Sequence, residues 1–164
     1  MKKVGVLSDT HGTLDIKIKD FFANCDEIWH AGDIGDIRIA DELASLKPFR
    51  AVFGNIDGIE VRIVFSKHCR FTCEDIDVWI THIGGTPERY NPELRHELVK
   101  NPPKLFICGH SHILKVQYDT KYRFLYLNPG AAGKFGSHKY RTAIRFVIDK
   151  SEIKDLEVLE LERN

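Results

Sequence analysis

The stretch KVGVLSDTHG, residues 3–12, decides how the chain is read. Val4, Val6 and Leu7 around a glycine make a short buried strand. The strand breaks into a polar turn that carries Asp9 and His11. A helix pattern follows at once, with Leu14, Ile18, Phe21 and Phe22 at helical spacing. The same unit then recurs: DEIWHAGD is a second strand ending on Asp33, IRIADELASL a second helix closed by Lys47 and Pro48, and RAVFGN a third strand ending on Asn55. Strand, helix, strand, helix, strand with short connections predicts parallel strands joined by crossover helices.

Beyond Asn55 the pattern changes. EVRIVFS, HCRFTCE and IDVWITH are rich in Val, Ile, Phe and Trp and predict strands, antiparallel in arrangement. A helix is predicted from Pro92 to Lys100, and Pro102-Pro103 prevents its continuation. KLFICGH, ILKVQYD, RFLYLNP, RTAIRFVID and IKDLEVLELE then predict strands, with Asp149-Lys150-Ser151 as a hairpin turn. No repeat, low-complexity linker or domain boundary interrupts the pattern, so residues 1–164 are expected to form a single domain. An α/β fold accommodates both halves: a four-layer αββα sandwich, two mixed β-sheets face to face with helices on the outer faces.

The chain has 164 residues, 43% hydrophobic and 29% charged, enough for a real core. Lysine plus arginine equals aspartate plus glutamate, 24 each. That balance gives no strong nucleic-acid signal and leaves little charge repulsion against a homo-oligomer. No segment suits a bilayer, so no membrane partner is expected. MKKVGVLSD lacks the long apolar stretch and cleavage site of a secretory signal. Cys25, Cys69, Cys73 and Cys108 lack zinc-finger spacing and read as small buried thiols, which makes the cytoplasm the expected location.

The polar residues fitted to bind metal collect at the ends of successive strands: Asp9 and His11 in SDTHG, Asp33 in AGD, Asn55 in FGN, His82 in ITH, His110 and His112 in CGHSH. In open sheets the crevice beyond the strand carboxyl ends is where sites form. These groups are too many for one tetrahedral ion, and a mixed set of carboxylate, amide and imidazole donors suits two ions of Mn, Fe, Zn or Ni better than Ca or Mg. Each group also has a plain structural alternative. Asp9 and Asp33 fit as caps of the helices that follow, His11 and His82 as structural histidines, and Gly12, Gly32, Gly54 and Gly109 as tight turns. Capping explains neither the histidine two residues after Asp9 nor the His-x-His at another strand end.

In this order DTHG, GD, GN, TH and GHSH resemble the motif set of the calcineurin-like metallophosphoesterases, over residues 5–112, and NPG at 128–130 also fits. The short length is similar to the small prokaryotic phosphodiesterase branch, and the retromer scaffold subunit resembles that branch in fold. The resemblance implies the four-layer sandwich and two divalent ions per chain, manganese foremost. It assigns one ion to Asp9, His11, Asp33 and His112, and the other to Asp33, Asn55, His82 and His110, with Asp33 shared. It also implies hydrolysis of a small phosphodiester substrate by a metal-bridging hydroxide. Asp33, Asn55 and His110 are then the residues expected to be catalytic.

One position departs from the family. Where relatives carry a histidine after the Gly-Asn pair, as leaving-group acid, this chain has Ile56. Without a proton donor, activated aryl diesters are expected to be cleaved and alkyl monoesters poorly. The loop KFGSHKYR, with Lys134, His138, Lys139 and Arg141, has two readings: a border of the site, with His138 as a substitute proton donor, or a solvated basic turn, which is preferred; Lys67 and His68 are read in the same way. Asp57 is expected to orient Asn55 or to bond the turn's own backbone. A non-catalytic, retromer-subunit-like interaction scaffold is the main alternative. A nuclease is disfavoured by the neutral charge, and a simple metal-binding or redox domain by the absence of cysteine from the strand-end set.

Overall fold

A computed structural model describes all 164 residues. Strand β1 (Lys2–Leu7) leads to helix α1 (Ile16–Phe21), strand β2 (Glu27–His30), helix α2 (Ile37–Leu46) and strand β3 (Phe49–Ala51). After the single turn α3 (Ile59–Arg62) come β4 (His68–Cys73), β5 (Ile76–Thr81), the short pair β6 (Gly85–Thr86) and β7 (Arg89–Tyr90), and helix α4 (Pro92–Lys100). Strands β8 (Leu105–Ile107), β9 (Leu114–Asp119), β10 (Phe124–Pro129), β11 (Tyr140–Asp149) and β12 (Glu152–Glu162) complete the chain.

The strands form two five-stranded sheets, ordered β12-β11-β1-β2-β3 and β4-β5-β8-β10-β9. Both are mixed. β1, β2 and β3 run parallel and β11 antiparallel to β1. β5, β8 and β10 run parallel, with β4 and β9 antiparallel at the edges.

Alternation along each strand sorts its side chains into layers. Val4 and Val6 of β1, Trp29 of β2, Val78 and Ile80 of β5, Leu105 and Ile107 of β8 and Leu127 of β10 meet between the sheets. Leu7 and Ile28 point to the other face of the first sheet, where Ile18, Phe22, Ile39 and Leu43 cover them. Trp79, Phe106, Phe124 and Tyr126 point outward from the second sheet and pack against Leu94 and Leu98 of α4. Three apolar layers between four structural layers give the expected sandwich, with α1 and α2 over one sheet and α4 over the other.

The helices start where local chemistry allows. Asp15, Asp36 and Asn91 each accept a hydrogen bond from the backbone N–H two residues on, at the heads of α1, α2 and α4. Helices α2 and α4 span the predicted residues. Asp9 and Asp33 cap none of them.

EVRIVFS is a correction: it is no strand. Gly58 opens a helical turn, Val61 alone is buried in it, and Ile59, Ile63 and Val64 remain exposed. Arg62 closes the turn locally, donating from Nε to the Asp57 carbonyl five residues back (2.6 Å). The segment pairs with no strand of either sheet, so the strand preference of its β-branched residues is not expressed. The β6–β7 hairpin was not foreseen either.

All four cysteines are free thiols; Cys25, Cys73 and Cys108 are buried and Cys69 half-buried. Burial pushes the Cys108 thiol up to about 12. A thiol-specific disulfide reagent at pH 8 should therefore label native protein at Cys69 alone and all four cysteines after denaturation. Rapid labelling of Cys108 in native protein would contradict this packing.

Candidate metal centre

The turns after β1 and β2 are laced together by the backbone. The N–H groups of Asp9, His11 and Gly12 donate to the carbonyls of Gly32, Asp33 and Ile34, at 2.9, 3.0 and 2.8 Å. Within the second sheet the Gly109 N–H donates to the His82 carbonyl (3.0 Å), and the His110 N–H reaches across to Asp9 Oδ2 (3.1 Å) to join the two sheets. A Cβ at Gly109 would lie 2.0 Å from Ser8 Oγ, and one at Gly54 would lie 2.1 Å from Asp33 Oδ1. Neither glycine has positive φ, so both serve close approach. Gly12 and Gly32, at φ 82° and 99°, are the left-handed turn positions.

Five of the side chains at this crevice sit on left-handed backbone: Asp9 (φ 54°), His11 (46°), Asp33 (56°), His110 (71°) and His112 (62°). Non-glycine residues visit this region at a cost, and such strain clusters at functional sites.

The seven strand-end residues meet in two groups. The ligating atoms of Asp9, His11 and His112 lie within 4.8 Å of one another, as do those of Asp33, His82 and His110. Asn55 joins the second group, its Oδ1 3.0 Å from His110 Nδ1. Asp33 touches both: its Oδ2 is 3.5 Å from His11 Nε2 and 3.1 Å from His82 Nε2.

Asp9 Oδ2 accepts from Ser8 Oγ (2.6 Å) and the His110 N–H (3.1 Å). Its buried Oδ1, however, has no hydrogen-bond partner, and neither do His11 Nε2 and His82 Nε2. His82 Nδ1 donates to the Ala31 carbonyl (2.7 Å), which fixes the tautomer and leaves Nε2 bare toward the carboxylates. No lysine or arginine pairs with Asp9 or Asp33; their charged-group neighbours are His11, His82 and His112. Two buried carboxylates and three inward-facing imidazoles, with unsatisfied oxygen and nitrogen atoms between them, suit a bound cation.

The electrostatics point the same way. Burial pushes the Asp9 carboxyl up, yet the imidazoles of His11 and His112 outweigh it and hold Asp9 well below the usual range. Asp33 is lowered too, with His82 opposing its burial. Burial pushes His82 down, and Asp33 and Asp9 reverse the sign, leaving it raised.

Asp57 bonds its own turn's backbone, as one of its two expected roles: it accepts from the Gly54 N–H (2.8 Å), and also from the N–H groups of Ile34 and Gly35 at 3.2 and 2.8 Å, tying two turns together. Other supporting contacts escaped the sequence reading. Ile56 supplies its backbone N–H to Asp33 Oδ1 (3.0 Å). The basic-turn reading of KFGSHKYR holds for Lys134 and Lys139, which are exposed. His138 instead packs edge-on against His112 at 5.1 Å, and Phe135 stacks on His11 at 5.0 Å. Arg141 is buried and bonds Asp15 Oδ2 (2.7 Å) and the Glu162 carbonyl. Lys67 lines a cavity of ≈ 240 Å³ with Asn55 and His82, while His68 lies against Trp79.

His30 carries the most consequence. Its Nδ1 accepts the Gly32 N–H (3.1 Å), so its Nε2 donates to Thr10 Oγ1 (3.0 Å), which in turn donates to the Ile34 carbonyl (2.9 Å). A polar histidine inside a strand gives no sequence signal for such a relay.

The chain matches the family model described as calcineurin-like phosphoesterase superfamily domain over residues 1–151. It belongs to that superfamily. A probable metallophosphoesterase of Methanothermobacter thermautotrophicus is 31% identical over 117 residues, covering 66% of each chain. Among solved structures, Vps29 from Entamoeba histolytica complexed with Zn²⁺ superposes with TM-score 0.75 at 16% identity over 99% of both chains. An archaeal phosphodiesterase superposes with TM-score 0.73 at 21% identity, over 96% of this chain and 99% of its own. The name probable metallophosphoesterase belongs to that relative, of which the match covers 66%, and the two structures speak to the fold. A phosphoesterase of this superfamily implies divalent metal, and the two side-chain groups are its candidate ligands. No helix is long and apolar enough to cross a membrane.

Burial holds His30 down at about 4. The folded state therefore keeps it neutral while the unfolded chain protonates near 6.5. Its contribution is full above that value and is lost as pH falls toward 4, on the order of 3 kcal/mol. In chelator-treated protein, urea unfolding at pH 7 and 4.5 should show His30→Gln losing less stability over this interval than the parent. Parallel losses would contradict a buried neutral His30.

Proposed function

We propose that the chain is a phosphodiesterase that works with two divalent metal ions, manganese foremost. Asp9, His11, Asp33 and His112 would hold one ion, and Asp33, Asn55, His82 and His110 the other. The observation that carries this reading is the position of Asp33 Oδ2, 3.5 Å from His11 in one group and 3.1 Å from His82 in the other. A carboxylate facing two ligand groups at once is suited to bridge. The donor set of carboxylate, amide and imidazole fits Mn, Fe, Zn or Ni.

Bound metal supplies Lewis acidity toward the phosphoryl oxygens and makes water nucleophilic near neutral pH. The protein's own side chains do the rest. Ser8 and the His110 N–H fix one oxygen of Asp9, leaving Oδ1 toward the site. The Ile56 N–H fixes Oδ1 of Asp33 and leaves Oδ2 toward the histidines. Asn55, in the turn after β3, presents its amide beside His110, where it would face charge developing on a phosphoryl oxygen.

Ile56 limits the chemistry. Its side chain reaches solvent and has no proton to give, so the leaving alcohol must depart as a good leaving group or take a proton from water. A positioned general acid contributes ~10²–10⁴ in rate. A diester with an acidic leaving alcohol suffers least from its loss.

A protein-interaction scaffold is the second reading. The exposed apolar run Ile56, Ile59, Ile63 and Val64 favours it. Hydrolysis separates the two.

With manganese added, the purified chain should release p-nitrophenol from bis(p-nitrophenyl) phosphate between neutral and alkaline pH. A metal-loaded sample with no hydrolysis across that range would sink the enzyme reading and leave the scaffold. Ile56→His should raise kcat for poorer leaving groups by about tenfold or more and flatten the dependence of rate on leaving-group pKa. An unchanged slope would show that this position does not govern protonation.

A further inference from the structure

Exposed apolar residues adjoin several of the candidate ligands in sequence. Ile56 follows Asn55, Ile83 follows His82 and Ile113 follows His112 in sequence, and they are 46, 39 and 65% exposed. Phe135 is 68% exposed and lies near-parallel to the His11 ring, at 5.0 Å and 25°. Phe135 belongs to none of the three apolar layers. It projects from a loop of lysine, glycine, serine and histidine, where packing gives no reason for an aromatic ring. One face of that ring is occupied by His11, and its exposure leaves the other open. From His112 a groove of ≈ 250 Å³ runs on between Ile113 and Tyr140.

We propose that Phe135 is a stacking platform for an aromatic ring on the substrate. The substrate class is then a phosphodiester that bears at least one aryl or nucleobase-bearing ester group. Aromatic rings favour offset stacking, and a ring held on a protein aromatic is bound with little dependence on its substituents. The geometry suits a phosphoryl group at the histidines with its ester substituent over Phe135, because the ring is already seated on a candidate ligand. This rests on the phosphodiesterase reading for its phosphoryl position. It is independent of the leaving-group argument from Ile56, which concerns acidity and not shape.

Non-hydrolysable phosphonates test it. In manganese-loaded protein, phenylphosphonate should inhibit cleavage of bis(p-nitrophenyl) phosphate about fivefold more strongly than methylphosphonate, the low end of what stacking supplies. In Phe135→Ala the ratio should fall to about one, and in Phe135→Tyr it should persist. Thymidine 5′-monophosphate tells the two ring sources apart: inhibition like phenylphosphonate supports a nucleobase, and inhibition like methylphosphonate supports a simple aryl group. A ratio unchanged in Phe135→Ala overturns the proposal. Binding is read separately from turnover in Phe135→Trp, whose fluorescence should respond to phenylphosphonate and not to methylphosphonate. If no substrate is hydrolysed but this response is seen, the phosphodiesterase reading falls and the ring platform stands. If hydrolysis is seen and the response is absent, the platform falls alone.

Discussion

Two carboxylates, Asp9 and Asp33, lie buried in one crevice without a lysine or arginine to neutralise either. Placing like charges together away from water is costly unless cations or hydrogen bonds compensate. Most of the local construction serves this pair. Ser8 and the His110 and Ile56 N–H groups satisfy one oxygen of each carboxylate. The other oxygens face imidazoles that are themselves short of partners. The sandwich makes the arrangement possible because parallel strands of both sheets end at one crevice and glycines let their turns touch.

Rigidity follows from the same constraint. Asp57 and the His30–Thr10 relay tie the β1, β2 and β3 turns into one unit, and His82 is oriented from behind by the Ala31 carbonyl. Five left-handed non-glycine residues persist there because surrounding bonds over-determine them. The proposed metals would then meet a preformed ligand set.

Much of this was legible in the sequence, for identifiable reasons. Alternation in KVGVLSD and DEIWHAGD carries the parallel strands, and apolar spacing in IRIADELASL carries α2. The strand-end residues were found because His-x-His and Asp-x-His have no cheap structural explanation. What stayed hidden depends on neighbours distant in sequence. EVRIVFS is the exception: it looks like a strand, yet its helical turn is closed by a local bond from Arg62 to the Asp57 carbonyl. His30 looks like an ordinary strand residue until Thr10 and Gly32 enclose it. Phe135 and His138 join the centre only because their loop folds back over it, with the Gly133 N–H bonded to the Asp9 carbonyl at 3.0 Å. Ile56 was read correctly as lacking a proton to give, yet its backbone role toward Asp33 is invisible in a one-dimensional pattern.

The proposed sharing of Asp33 is the centre of the account, and anomalous diffraction from crystals grown with manganese tests it most directly. The account predicts two peaks about 3.5–4 Å apart with an Asp33 oxygen bound to both. A single peak confined to one side-chain group, or manganese bound away from Asp33, would contradict it.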